Sequence, residues 1–296
     1  MKKFDILDRI KKLYDRGENI IGYLKNLDQR DSNTLEDILI SYDFQAGSYI
    51  AHAEDHQEFA SAYAKAIASE IKKLGAPKSI LEVGVGEATK LGNVALEFSE
   101  QVAFGGFDIS WSRIYYAKKY TRGLGVSAFL CTGDLFCSPF PDNSIDIVYT
   151  SHSIEPNGGR EAEAIAELYR ITNQYLVLLE PSFEMASPED QQRMIRNGYV
   201  RNLKGTIEEL GYKLVSHRLF EHSVRASNPT ALYVIEKNAS AKSVNQIKPA
   251  CPYSKKVLTE YPDHFFSPES FLSYPKINSV PCLAPFNAVL TSKNHL

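Results

Sequence analysis

The sequence predicts an α/β protein built on a doubly wound, mostly parallel sheet, with an N-terminal helical cap and a small C-terminal appendage. Three observations carry this prediction. Between residues 79 and 238 short apolar runs alternate with helical stretches, the pattern of successive βαβ units. One run, Ile80-Leu-Glu-Val-Gly-Val-Gly86, ends in a glycine pair followed at once by a helical segment, the turn where such sheets receive ligands. The 296 residues, 44% of them apolar, suffice for one full-sized core with length to spare.

Taken in order, residues 3–24 place Phe4, Ile6, Leu7, Ile10 and Leu13 at helical spacing, predicting one amphipathic helix. A polar stretch at 28–33 precedes a second helical segment from Thr34, which runs into Tyr42-Asp-Phe-Gln-Ala-Gly-Ser-Tyr49. A third spans about 55–74 and is stopped by Gly75-Ala-Pro77. Strands are predicted at 79–83, 103–108, 127–132, 145–150 and 174–179, with helices between them at about 90–98, 112–122 and 159–171. After Pro181 come helices at 187–197 and 204–210 and two strands, 212–221 and 230–236, read as an antiparallel pair at the sheet edge. The division is then a cap at 1–50, a core domain at 51–238, a polar linker at 239–248 and a Pro-, Tyr- and Phe-rich tail at 249–296.

A formal net charge of −3 argues against a broadly basic surface that tracks phosphates, so nucleic acid is disfavoured as a partner and a small molecule preferred. Four cysteines, Cys131, Cys137, Cys251 and Cys282, have no disulfide-like spacing, and Met1 to Arg16 lacks the apolar core of a signal peptide. The expected setting is cytoplasmic. No apolar run approaches the ~20 residues that cross a bilayer, so no membrane role is expected. A homodimer is compatible with this reading.

The chemistry concentrates at strand ends. Gly84 and Gly86 let a ligand approach the backbone, although a lone G-x-G also serves purely steric turns. The next strand, Phe104-Gly-Gly-Phe-Asp-Ile109, ends in Asp108 about one βαβ unit beyond Glu82, where a carboxylate can accept both hydroxyls of a ribose. The third strand runs into Thr132-Gly-Asp-Leu-Phe136, placing Asp134 to accept a hydrogen bond from an adenine amino group beside an apolar wall. Three strand ends then line one nucleoside.

With Asp142-Asn-Ser-Ile-Asp-Ile-Val-Tyr149, these residues resemble the class I S-adenosylmethionine-dependent methyltransferase family over roughly residues 42–238. The resemblance implies a Rossmann-like fold and S-adenosyl-L-methionine as cofactor. It implies that Gly84 and Gly86 pass under the methionine part with Glu82 behind them. Asp108 and Ile109 would meet the ribose, Asp134 and Leu135 the adenine, and Ser151 the end of the fourth strand. Ala88 replaces a glycine often found in the loop, a tolerable change if that position mainly governs helix packing. NAD-dependent dehydrogenases share the strand, loop and ribose carboxylate, but they want G-x-G-x-x-G. Here residue 89 is Thr, and Glu87 would set a negative charge beside the pyrophosphate.

In the family the N-terminal segment often folds over the cofactor, which makes Gln45 and Tyr49 candidates for its carboxylate end or for the substrate. Equally, Tyr42, Phe44 and Tyr49 can pack the cap onto the sheet. Trp111 can wall the adenine, and Arg113 is expected to face solvent or a neighbouring carboxylate.

The candidate catalytic stretch is Thr150-Ser-His-Ser-Ile-Glu-Pro-Asn-Gly-Gly159, directly after the fourth strand. His152 can remove a proton from a substrate hydroxyl or amine, and Glu155 can orient that imidazole or hold a cation. The alternative is a loop that only positions substrate, because a sulfonium methyl is already activated. Glu180-Pro-Ser-Phe183 can line an acceptor pocket or simply end a strand. His217, His222 and Arg225 read as structural or exposed, and no metal-ligand cluster is evident.

The tail segments Lys248-Pro-Ala-Cys-Pro-Tyr-Ser254 and Ser273-Tyr-Pro-Lys-Ile-Asn-Ser-Val-Pro281 resemble small zinc-ribbon methyltransferase activators. The second cysteine of the first pair is Ser254 and the middle pair is missing, which leaves too few ligands for structural zinc. The tail then reads as a docking or lid module or as a packed extension. The function expected is methyl transfer to a small polar acceptor, such as a sugar or sugar-linked metabolite. The alternatives are an RNA or protein methyltransferase and a non-catalytic cofactor-binding partner subunit.

Overall fold

The computed structural model describes residues 3–222, 227–237 and 244–293. The cap starts with a short 3₁₀ turn, Lys3–Ile6, then α1 (Leu7–Asp15), α2 (Ile20–Leu27), α3 (Leu35–Phe44), α4 (Ser48–Asp55) and α5 (Gln57–Lys72). The single helix expected over 3–24 is therefore two. Gly17 takes a left-handed φ of 74°, which ends α1, and Asn19 caps α2 by accepting from Gly22 N at 3.1 Å.

The core continues with β1 (Ser79–Val83), α6 (Thr89–Ala95), β2 (Ala103–Asp108), α7 (Trp111–Gly123), β3 (Ala128–Thr132), β4 (Ile145–Ser151), α8 (Glu161–Ile171) and β5 (Thr172–Pro181). Then follow α9 (Pro188–Asn197), α10 (Leu203–Glu209), β6 (Lys213–Leu219) and β7 (Thr230–Glu236). The seven strands lie in the order β3-β2-β1-β4-β5-β7-β6. β1 to β5 run parallel, whereas β7 is antiparallel to both β5 and β6, so that β6 and β7 form the antiparallel edge pair the sequence suggested.

β1 and β4 are buried at every position, and their apolar stretches Ile80-Leu81 and Ile147-Val148-Tyr149 face both sides of the sheet. Alternation splits their side chains between two cores. Ile80, Ile147 and Tyr149 join Ile67 of α5, Leu91 of α6 and Ile114 of α7 on one face. Leu81 and Val148 join Ala164, Ile165 and Leu168 of α8 on the other. Because β2 and β4 flank β1 on opposite sides, the crevice beyond the carboxyl ends of β1 and β4 is the topological switch point.

The tail carries β8 (Thr259–Glu260), β9 (His264–Ser267), β10 (Leu272–Ile277), β11 (Val280–Pro281) and β12 (Val289–Leu290) in a small antiparallel sheet. Its apolar residues Cys251, Leu258, Phe265, Tyr274 and Leu283 belong to the same core as Leu81 and Phe107 of the large sheet. Of the segment read as a linker, residues 239–243 lie outside the described ones, and Ile247 is buried in that core. Arg225 also lies outside the described residues.

Cys251, Ser254, Ser267 and Ser270 converge in the tail. Cys251 Sγ lies 3.4 Å from Ser270 Oγ, and Ser254 Oγ lies 3.4 Å from Ser267 Oγ. Among the described residues no group of three or more His, Cys, Asp or Glu side chains is placed to hold a metal.

Candidate functional site

The chain leaves β1 through left-handed backbone at Gly84 (φ 63°), Gly86 (φ 54°) and Ala88 (φ 58°). At Gly84 no other residue fits, since a Cβ there would lie 2.2 Å from the Cβ of Ser153, which enters from the loop after β4. Asp108 is clamped at both carboxylate oxygens: Gly86 N donates to Oδ2 at 3.0 Å and Ser110 N to Oδ1 at 2.9 Å. One carboxylate thereby ties the β1 loop to the end of β2. Burial raises its pKa, opposed by the Arg113 guanidinium and these two N–H groups.

The cap is latched to this loop by two further carboxylates. Glu87, fully buried, accepts from Gly47 N at 3.0 Å, Tyr49 N at 3.3 Å and Ile50 N at 2.8 Å, satisfying the first turn of α4. Asp43 accepts from Ser110 Oγ at 2.6 Å, and from Ser112 N at 3.1 Å and Ser112 Oγ at 2.9 Å at the start of α7. Arg113 does not face solvent but neighbours the Asp108 carboxylate, the other alternative the sequence allowed. It is buried, with its guanidinium between the rings of Tyr42 (4.6 Å) and Tyr49 (4.5 Å), and it donates to Tyr42 O at 3.0 Å and Gln45 Oε1 at 3.4 Å.

A cleft of about 130 Å³ opens between cap and sheet. Gly84, Gly86, Asp108, Ile109, Leu135, Ser151, His152 and Tyr49 line it, as do Tyr42, Arg113, Lys90 and Ser153, which the sequence reading did not single out as ligand contacts. Three predicted contacts are absent from the lining. Glu82 lies beneath the floor, accepting from Tyr149 OH at 2.8 Å, and burial pushes its pKa up to about 7 against the pull of Lys90 and that hydroxyl. Asp134 turns inward and accepts from Phe136 N at 2.9 Å, while Gln45 contacts Arg113 instead. Trp111 stacks on Tyr115 at 5.2 Å and donates to Ile277 O of the tail at 3.3 Å, so it is a docking residue.

The loop after β4 forms the opposite wall. His152 has a left-handed φ of 59°, and its N–H donates to Leu179 O at 2.9 Å. Its Nδ1 lies 2.8 Å from Glu155 Oε2 and its Nε2 2.8 Å from Thr230 Oγ1. The structure therefore joins His152 to Glu155 and adds Thr230 as a third member. Burial disfavours the Glu155 carboxylate, but hydrogen bonds from His152, Tyr199 and Asn228 outweigh it and hold the group below its ordinary range.

Glu180 does not line the cleft. Fully buried at the end of β5, it accepts from Ser153 N (3.0 Å), Ile154 N (3.2 Å) and Glu155 N (3.1 Å) and so shapes the whole loop. Ser153 Oγ is left buried without a hydrogen-bond partner at the cleft wall. Only the fold could reveal these roles, since nothing in Glu180-Pro or in a lone Ser marks them.

A glycine loop clamped by a strand-end carboxylate at the switch point of a doubly wound sheet is a Rossmann-like arrangement. Residues 80–175 match the family described as a methyltransferase domain. A comparison with curated proteins finds no match. Among solved structures, the cyclase SpnF is 15% identical with a TM-score of 0.51, covering 61% of this chain and 81% of that one. A complex of the Haloferax volcanii Trm112 methyltransferase activator with a methyltransferase also gives 15% identity and a TM-score of 0.51, covering 66% and 96%. At these identities the likeness is one of fold. Among the described residues no helix is long and apolar enough to cross a membrane.

Proposed function

We propose that the protein binds S-adenosyl-L-methionine in this cleft and transfers its methyl group to a small polar acceptor, a sugar or sugar-linked metabolite being the class preferred. The observation that carries the reading is the meeting of the Gly84–Gly86 loop, the clamped Asp108 and the unpartnered Ser153 hydroxyl in one crevice. Glycine at 84 lets Ser153 pack against the loop, and the buried hydroxyl of Ser153 without a partner calls for a ligand. The cofactor supplies an already activated methyl group on a sulfonium.

The chain's own residues hold and orient. Gly84 and Gly86 admit close approach, Asp108 presents acceptors for a ribose, and Leu135 and Phe136 give an apolar wall. Leu35 and Ile38 of α3 line the cleft together with the polar His152, Ser153 and Asn157, which can hydrogen-bond a polar acceptor. His152 can take the acceptor's proton at Nε2 only after the Thr230 hydroxyl turns away, with Glu155 fixing the ring through Nδ1.

Since a cyclase shares the fold, the test must read methyl transfer itself. Calorimetry with S-adenosylhomocysteine should show stoichiometric binding, and methyl donor should be consumed with a small polar acceptor from a panel of sugars and sugar conjugates. Saturable NAD binding without binding of the sulfur compound would sink the cofactor assignment. Binding without turnover on any acceptor would favour a partner subunit.

A further inference from the structure

In a doubly wound sheet, successive parallel strands are joined by crossovers that usually carry a helix packed on one face. Here no helix lies between Thr132 at the end of β3 and Ile145 at the start of β4. The face left bare over β2 and β3 is covered by the tail. Phe265 sits edge-on to Phe129 of β3 at 6.5 Å, and a Cβ at Gly105 of β2 would lie 2.9 Å from Ile247. The tail also covers the open edge of β3: Cys282 forms a parallel bridge with Thr132, and Leu283 N donates to Thr132 O at 3.2 Å.

From this seat the tail grips the irregular connection itself. Ala250 N donates to Pro139 O at 2.8 Å, and Cys137 Sγ donates to Pro252 O at 3.1 Å. Lys255 Nζ reaches Cys137 Sγ and Glu167 Oε1, each at 3.5 Å. Thr132 Oγ1 donates to Asn287 Oδ1 at 3.3 Å. The gripped connection includes Gly133, Leu135 and Phe136, which line the cleft.

We propose that the C-terminal tail replaces the absent crossover helix and acts as a built-in positioning module, holding residues 133–139 in the shape that receives the nucleoside end of the cofactor. The inference rests on the cofactor reading above for what is received, but the holding of the loop stands apart from it. Asn287 and Lys255 are positioning residues that act through Thr132, Cys137 and Glu167.

The test uses the full-length chain with Asn287→Ala and Lys255→Ala, singly and combined, and Tyr261→Ala as a control within the tail. Hydrogen exchange without ligand should accelerate at residues 133–139 in the double variant and stay unchanged at 151–157. The dissociation constants of S-adenosylhomocysteine and of adenosine should rise together by about three- to tenfold, the scale of one or two lost hydrogen bonds. Tyr261→Ala should leave both readouts alone. Unaltered exchange at 133–139 would reduce the tail to a packed extension. Faster exchange with unaltered affinity would break its link to binding, and acceleration spread over the whole chain would show global destabilisation in place of positioning. If the double variant does not fold, Asn287→Ala alone carries the same test. Failure of the wild type to bind S-adenosylhomocysteine would defeat the cofactor reading, leaving the exchange result to decide whether the tail holds the loop.

Discussion

The two ends of the cleft are built by different means. The loop after β4, residues 151–157, is held from inside the domain: Glu180 accepts three successive N–H groups, and His152 is fixed at its backbone and at both ring nitrogens. The connection after β3 has local anchors at Asp134, which accepts from Phe136 N at 2.9 Å, and at Glu167, which accepts from Ser138 N at 2.7 Å, but it is also held by a tail more than a hundred residues further on. Internal carboxylates make the reaction end rigid at a desolvation cost. The nucleoside end depends on docking of a separate segment, so perturbations should propagate differently from the two ends.

The largest expected effect tests the rigid end. His152→Ala should lower turnover roughly 10²- to 10⁴-fold while changing S-adenosylhomocysteine affinity little, if the imidazole takes the acceptor's proton. Thr230→Val should then raise turnover or leave it nearly level, because it frees Nε2. A fall of less than about tenfold in His152→Ala, with a raised Michaelis constant, would make the loop a positioning element. The left-handed φ of His152 is consistent with a site where strain is maintained by its surroundings.

Asp108→Ala comes next, because this residue joins the two halves. It removes the acceptor for Gly86 N and Ser110 N as well as the one proposed for ribose, and should weaken S-adenosylhomocysteine by about 1–3 kcal/mol. Calorimetry on a variant with an unchanged circular dichroism spectrum decides it. An unaltered dissociation constant would place the ribose elsewhere.

Much of the sheet was legible because β1 and β4, buried on both faces, carry the short apolar runs Ile80-Leu81 and Ile147-Val148-Tyr149, and because Gly84, Gly86 and Asp108 fall at strand ends. For Arg113 the neighbouring carboxylate, Asp108, was within the reading but the burial was not, because it comes from Tyr42 and Tyr49, on a cap whose docking depends on Asp43 and Glu87. Asp134 was given a ligand because a carboxylate in a turn satisfies its own backbone as readily as a partner. The tail's seat could not be read at all, since an absent crossover helix becomes visible only when the face it would cover is seen.

Glu82 lies beneath both ends and gives a pH test. Burial raises its pKa to about 7 from an ordinary value of 4.5, so between these values the folded state binds more protons than the unfolded one. Stability contributed by the protonated group is complete below about pH 4.5 and is lost as pH rises through 7. Glu82→Gln keeps an acceptor for Tyr149 OH and removes this slope, so relative to wild type it should gain on the order of 2 kcal/mol above pH 7. Urea unfolding at pH 5 and pH 8 measures it, and parallel profiles for the two proteins would show that Glu82 does not titrate in this window.

The smallest effect concerns the start of α6, on the glycine loop that both ends share. The sequence suggested that Ala88 is tolerated because its position governs helix packing, yet its backbone sits at φ 58° and ψ 23° with the residue fully buried. For an L-residue this conformation costs about 1–2 kcal/mol, which glycine would escape. Glycine also gives up roughly 0.5–1 kcal/mol of chain entropy on folding, so Ala88→Gly should change stability by about 0–1 kcal/mol in the stabilising direction. Chemical denaturation resolves a difference of that size. A loss of more than about 1 kcal/mol would mean that the buried methyl group, in the core shared with Val85 and Leu91, outweighs the strain. Helix packing would then decide what this position accepts, and the left-handed backbone would be its consequence.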